Sequence, residues 1–219
     1  MSAPDLRTPQ GSAKVVDRFS RASRWVHWST AGLMMTCILT AAVLYNGALA
    51  VLVGHRYVVE QIHVWSGIAL PVPLVAGIAS RDYRDDTRRL NRFTPRDWAW
   101  LRSRTRRDGT IEVGKFNAGQ KVNASLSAGA IGVLLISGVT MYLTNLAPLS
   151  WRSGATFMHD WFALALGLLV AGHVVMAAKD PYAMTGMRTG RVPLAWARRE
   201  HGAWAREVAG DPPAAESPH

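Results

Sequence analysis

Apolar residues along this chain gather into four long blocks, and charged residues fill the stretches between them. The blocks cover approximately 25–45, 57–79, 122–146 and 154–178. A helix needs roughly 20 apolar residues to cross the hydrocarbon core of a bilayer. The first and third blocks contain no Asp, Glu, Lys or Arg. The second and fourth hold one carboxylate each, Glu60 and Asp160, both near the block's start. Four stretches of full bilayer length predict an all-α integral membrane protein, a four-transmembrane-helix bundle. Pro71 and Pro73 fall inside the second block and predict a kink, because proline removes a backbone donor and clashes with the preceding turn. Ser125, Gly129, Gly132 and Gly138 in the third block read as small residues that let helices pack closely.

The polar stretches add an orientation. The 219-residue chain carries 25 Lys and Arg and a formal net charge of +10. Five of these cations precede the first block, twelve lie between the second and third, and six follow the fourth. Only Arg56 and Arg152 occupy the two remaining connections. The positive-inside rule places both termini and the 80–121 loop in the cytoplasm, in the plasma (inner) membrane of a multi-pass protein. So clean a division by membrane side argues against nucleic-acid binding, where basic residues interleave with stacking aromatics. The opening "MSAPDLRTPQGSAKVVDRFSR" is polar and lacks a signal-peptide core. Residues 1–17 read as a flexible segment, 18–207 as the membrane domain and 208–219 as a disordered tail.

Two cytoplasmic stretches predict interfacial helices. "FTPRDWAWLRSRTRR" offers Thr94 as N-cap and Pro95 as the first helical residue. The tail "VPLAWARREHGAWAREV" mixes Trp196 and Trp204 with charges. Both fit the headgroup region, or docking to a partner subunit.

Histidine supplies the candidate chemistry. Of the seven, His201 and His219 read as surface residues of the tail, and His55 lies in a short outer loop. The other four, His27, His63, His159 and His173, fall inside the apolar blocks. An ionisable group in a membrane is costly and marks function by default. His159 and His173 are fourteen residues apart on one helix, which places them on one face and roughly 21 Å apart along the axis. His27 follows Arg24 by three residues and His173 precedes Lys179 by six, so both lie toward the cytoplasm. His63 follows Arg56 by seven and His159 follows Arg152 by seven, so both lie at one outer depth. Two depth-matched pairs suggest two bis-histidine haems of the b type, since imidazole suits haem iron and no CxxCH occurs. Arg24, Arg56 and Arg152 lie at the rim, suited to propionates or to headgroups. Zinc is disfavoured because each pair lacks a third and fourth ligand. His55 is the rival of His63 as outer ligand. The single cysteine, Cys37, excludes an internal disulfide.

"VGKFNAGQK" at 113–121, "RFSRASRWVHW" at 18–28 and "GHVVMAAKDPYAMTGMRTGRVPLAWARREH" complete the pattern. In these motifs and in its histidine order the chain resembles the cytochrome b (gamma) subunit of respiratory formate dehydrogenase, from about residue 17 to 207. The resemblance implies His27 and His173 as inner-haem ligands and His63 and His159 as outer-haem ligands. It implies that Asn117, Gly119 and Gln120 line a site for menaquinone or another quinone. The residues alone leave a capped helix entry at Asn117 open. The resemblance further implies partners: an iron–sulfur subunit and a molybdenum catalytic subunit on the outer face. The chain would then be the electron-transfer and quinone-reducing subunit, not the formate-oxidising one. Anchors of other molybdoenzymes or hydrogenases share a similar histidine layout, as do stand-alone diheme quinone cytochromes.

Overall fold

The computed structural model describes residues 14–105, 110–145 and 147–210. In chain order these form β1 (Val15–Asp17), α1 (Arg21–Tyr45), α2 (Gly47–Val53), α3 (Arg56–Ala69), α4 (Pro71–Gly77), α5 (Arg81–Asn91) and α6 (Pro95–Arg102). There follow α7 (Ala118–Tyr142), α8 (Leu149–Ala178), α9 (Pro181–Thr189), β2 (Arg191–Pro193), α10 (Leu194–Glu200) and α11 (Gly202–Ala209). Among the described residues, four helical stretches have the length and apolarity to cross a membrane: α1, α3 with α4, α7 and α8. The chain is a multi-pass helical membrane protein.

The helices begin before the apolar blocks do, because caps sit in polar sequence. Ser20 caps α1 by accepting from the Ser23 amide. Asn117 and Gln120 form a reciprocal capping box that opens α7. Hydropathy marks the hydrocarbon layer, whereas a cap marks where the backbone first turns. The expected proline effect is a break between α3 and α4. Pro71 has no N–H to offer the Gly67 carbonyl, and the Leu70 amide takes it at 3.2 Å instead.

Outside the spans, three separate stretches fold into one polar cap. Residues 14–20, 80–105 with 110–117, and 179–210 all contribute. Val15–Asp17, expected in a flexible segment, pair antiparallel with Arg191–Pro193. Residues 1–13 and 211–219, which include most of the expected flexible N-terminal segment and His219, lie outside the described residues. Thr94 and Asp97 form a capping box with Pro95 at the first helical position, as the sequence predicts for α6.

The C-terminal helices do not present their tryptophans to a headgroup layer. Trp196 and Trp204 are each 3% exposed and pack with Val192, Leu194, Ala197 and Ala205 into the cap's core. His201, expected at the surface, is buried between them. A helix too short for a full apolar stripe still buries its aromatics when two strands and two neighbouring helices close over it.

Candidate functional site

The structure brings the four span histidines together in two pairs. His63 of α3 faces His159 of α8 with ring centroids 6.2 Å apart. His27 of α1 faces His173 of α8, also at 6.2 Å. One helix, α8, contributes to both. The His27 pair lies at the cap end, where Trp28 Nε1 donates to the Met187 carbonyl and Arg24 to that of Arg188. The His63 pair lies at the far end. His55 is exposed at the start of α3, one residue outside the helix.

Between the pairs sits one apolar layer. Met34, Leu70, Ala130 and Leu166 are buried together, one from each span. Met34 is seven residues past His27, Leu70 seven past His63, and Leu166 midway between His159 and His173. Seven residues make about two turns, or roughly 10 Å. The layer therefore lies about midway between the two sites.

The donor set and its surroundings test what each pair can hold. A metal bonded to imidazole nitrogens at about 2 Å on either side separates the two ring centres by about 6 Å. Both pairs meet that spacing. Among the described residues no group of three or more His, Cys, Asp or Glu is arranged to hold an ion. Two ligands suit a group that brings its own equatorial donors, as a haem does. A Cβ added at Gly129, Gly132, Gly167 or Gly172 would meet nothing within 4 Å, so Gly129 and Gly132 do not serve the close helix packing read from the sequence. Gly138 is different: its Cβ would lie 3.2 Å from His159 Cε1. Arg24 Nε is buried without a hydrogen-bond partner, one turn before His27, and suits a carboxylate. The Arg56 guanidinium donates to the Leu44 carbonyl.

Two hydroxyls that the sequence reading passed over touch the far pair. Thr40 Oγ1 lies 2.9 Å from His63 Nδ1, and Ser137 Oγ 3.0 Å from His159 Nδ1. Their signal in sequence is faint, since small hydroxyl residues are common in membrane helices.

At the cap, Asn117 and Gln120 spend their side-chain oxygens on each other's amides. The helix-entry cap left open in the sequence is what the structure shows for these two side chains. Gly119 lies against Trp100 and Asn117. Asn117 also lines a cleft of about 420 Å³ with Trp100, Val113, Ala118, Lys121 and Ala203. Below it Lys121 Nζ donates to Asp97 Oδ2 at 2.7 Å and to the Arg92 carbonyl at 2.9 Å. Burial pushes the Asp97 carboxyl up, but hydrogen bonds from Lys121 and Thr94 outweigh it and hold the group below its usual range.

A second buried cluster closes the cap. Arg18, 3% exposed, donates to the Lys115 carbonyl and to His201 Nε2, and its guanidinium lies over Trp196 at 4.7 Å. Arginine only donates, so His201 Nε2 accepts and Nδ1–H donates to the Gly114 carbonyl at 2.8 Å. Burial, then the Arg18 charge, hold His201 down at about 3; burial lowers Arg18 to about 10. Neither residue's role is visible from sequence, because the two are far apart in the chain and meet only in the folded cap.

Comparison with known proteins joins this geometry to a family. Residues 18–190 match the family model described as prokaryotic cytochrome b561. The nitrate-inducible formate dehydrogenase cytochrome b556(Fdn) subunit of Escherichia coli (strain K12) is 31% identical over 100 residues, covering 44% of this chain and 46% of that protein. The formate dehydrogenase cytochrome b556(fdo) subunit of the same organism is 31% identical over 100 residues, covering 44% and 47%. The chain thus spans just under half the length of the curated relatives it matches. Membrane helices, histidine pairs and these matches describe a membrane-bound b-type cytochrome that transfers electrons, and the chain belongs to the prokaryotic cytochrome b561 family.

Proposed function

We propose that this chain is the diheme cytochrome b subunit of a respiratory oxidoreductase of the formate dehydrogenase type. It relays electrons from an iron–sulfur/molybdenum partner on the outer face to menaquinone or another quinone on the cytoplasmic side. The observation that carries the reading is the pair of histidine pairs, each at 6.2 Å, on either side of one apolar layer. His63 and His159 would hold the outer haem b, and His27 and His173 the inner one. Each haem supplies one-electron redox chemistry when bound. The charge pattern along the sequence supports a cytoplasmic cap, and with it both described chain ends on that side.

The protein's own part is to position and insulate. The four-residue layer sets apolar side chains between the two sites. Arg24, with its unpartnered Nε, would meet an inner-haem propionate. Asn117 lines the cleft at the cap's base, Gly119 and Gln120 follow it in the opening turn of α7, and we assign the quinone there. Their amide hydrogens and the glycine backbone suit a quinone oxygen, while their side-chain oxygens remain in the capping box. Quinone reduction on this side would take up cytoplasmic protons and separate charge across the membrane.

Pyridine haemochrome analysis of the purified protein tests the reading, with two haems b per chain expected. One haem, or none, overturns it. Isolation from native membranes separates the subunit from a stand-alone cytochrome. A co-purifying molybdenum subunit is expected, and a chain that reduces quinone with no partner would identify the stand-alone type.

A further inference from the structure

Thr40 and Ser137 occupy equivalent places about the far histidine pair. Thr40 of α1 meets His63 of the neighbouring α3, and Ser137 of α7 meets His159 of the neighbouring α8. A hydroxyl has one proton and two lone pairs. Thr40 Oγ1 lies 2.7 Å from the Thr36 carbonyl and 3.0 Å from that of Cys37. Ser137 Oγ lies 2.7 Å from the Val133 carbonyl and 3.3 Å from that of Leu134. Carbonyls only accept, so each hydroxyl proton is committed to its own helix. The contact with each ring therefore runs from Nδ1–H to the hydroxyl oxygen, with the Cys37 and Leu134 carbonyls as further acceptors for the His63 and His159 rings. Both far histidines carry their proton on Nδ1, which leaves the Nε2 lone pair available to a metal.

The cap-side pair is built otherwise. The His27 ring meets the Trp28 ring edge-on at 5.1 Å, and among the described residues no side-chain hydrogen bond reaches either His27 or His173. The two pairs match in spacing and differ in what supports them.

We propose that Thr40 and Ser137 are positioning residues of the far site, which fix both imidazoles as Nδ1–H tautomers and increase their electron donation to the iron. The proposal rests on the reading of His63 and His159 as haem ligands. An acceptor on the outer ring nitrogen raises a ligand's basicity and favours the oxidised metal. Removing either hydroxyl should therefore raise the midpoint potential of the far haem and leave that of the cap-side haem unchanged.

The test compares purified Thr40→Val, Ser137→Ala and the double variant with the parent, by optical redox titration and low-temperature EPR. The far haem is the one that His63→Ala removes. The expected result is an upward shift of that haem in each single variant, a larger shift in the double, and altered low-spin g-values. Thr40→Ser and Ser137→Thr keep the acceptor and should retain the parental values. If a deletion variant loses the far haem while its conservative counterpart keeps it, the positioning role stands. Parental potential and g-values with both haems bound, or equal shifts at both haems, would overturn the proposal. A parent protein without haem fails one step earlier and overturns the ligand reading itself.

Discussion

The cap and the membrane bundle of this protein are held together by opposite means. In the cap, aromatic and charged side chains are buried side by side, and the two buried carboxylates each have a lysine partner. Asp86 takes the Ser23 hydroxyl and the Lys115 ammonium, and Asp97 takes Lys121 and Thr94. In the bundle, the buried apolar cluster among the described residues is the layer of Met34, Leu70, Ala130 and Leu166, with partly buried neighbours around it. The first two spans pack on each other and the last two on each other, with sparser contact between the pairs. Lipid gives helices little hydrophobic reason to close up, so packing there depends on specific fits. The cap closes on its own aromatic and charged side chains apart from the cleft beside Asn117, whereas the bundle brings its histidines together in pairs at the spacing a flat ligand needs.

That contrast breaks most visibly at the histidines. His159→Ala removes one member of the far pair, and the expected outcome is one haem per chain where the parent carries two. Pyridine haemochrome analysis measures it. His173→Ala should give the same count with the opposite haem lost, which the redox titration distinguishes. A ligand that binds only the folded state stabilises it by mass action, so each loss should also lower the bundle's unfolding temperature. Retention of both haems in either variant would mean that the bundle does not depend on these rings.

The cap should respond to the loss of a charge rather than of a cofactor. Lys121→Met leaves the Asp97 carboxylate buried beside Thr94 without its cation. Breaking one side of a buried pair costs about 3–5 kcal/mol. Limited proteolysis of the 80–117 segment should accelerate accordingly, while haem content stays at two. Adding Asp97→Asn should recover much of the loss, because the unpaired charge is then gone. Proteolysis unchanged in the single variant would show that the cap does not rely on this pair.

His201 makes a pH-dependent version of the same comparison. Its folded-state value, about 3, lies below the ordinary histidine value of 6.5. Between these values the unfolded cap binds a proton that the folded cap refuses. The contribution of His201 is thus complete above about pH 6.5 and declines as pH falls toward 3, by at most about 1.4 kcal/mol per unit. Asp97, held below its usual range, adds loss only at more acidic pH. Cap proteolysis at pH 5.5 should therefore exceed that at pH 7.5, and His201→Gln should flatten the difference. A pH response unchanged in that variant would assign the effect to another group.

What could be read from the sequence divides along the same boundary. The four spans were legible because lipid imposes a length and an apolarity that nothing else in the chain satisfies. The pairing of His27 with His173 and of His63 with His159 followed from depth, since flanking charges act as rulers. The cap was less legible. Trp196 and Trp204 among arginines suggest a membrane surface, and their burial depends on contacts with Val16 and Ala183 that are remote in sequence. His201 looked like a tail residue because its partners, Arg18 and the Gly114 carbonyl, come from two other segments. Thr40 and Ser137 were hidden for a different reason: a hydroxyl gains meaning only from the ring opposite it.

The smallest expected effect lies inside the bundle, at Gly138. A methyl added there would sit 3.2 Å from His159 Cε1, whereas one added at Gly154 meets nothing within 4 Å. Gly138→Ala should displace the His159 ring by a few tenths of an ångström and lengthen its bond to Ser137. The expected result is a shifted far-haem EPR signal with the haem count unchanged. Gly154→Ala, which adds helix propensity of up to about 1 kcal/mol without a contact, should leave the signal as it was. Equal spectra in both variants would mean that the far ring has slack, and that the bundle's open packing extends to the ligand itself.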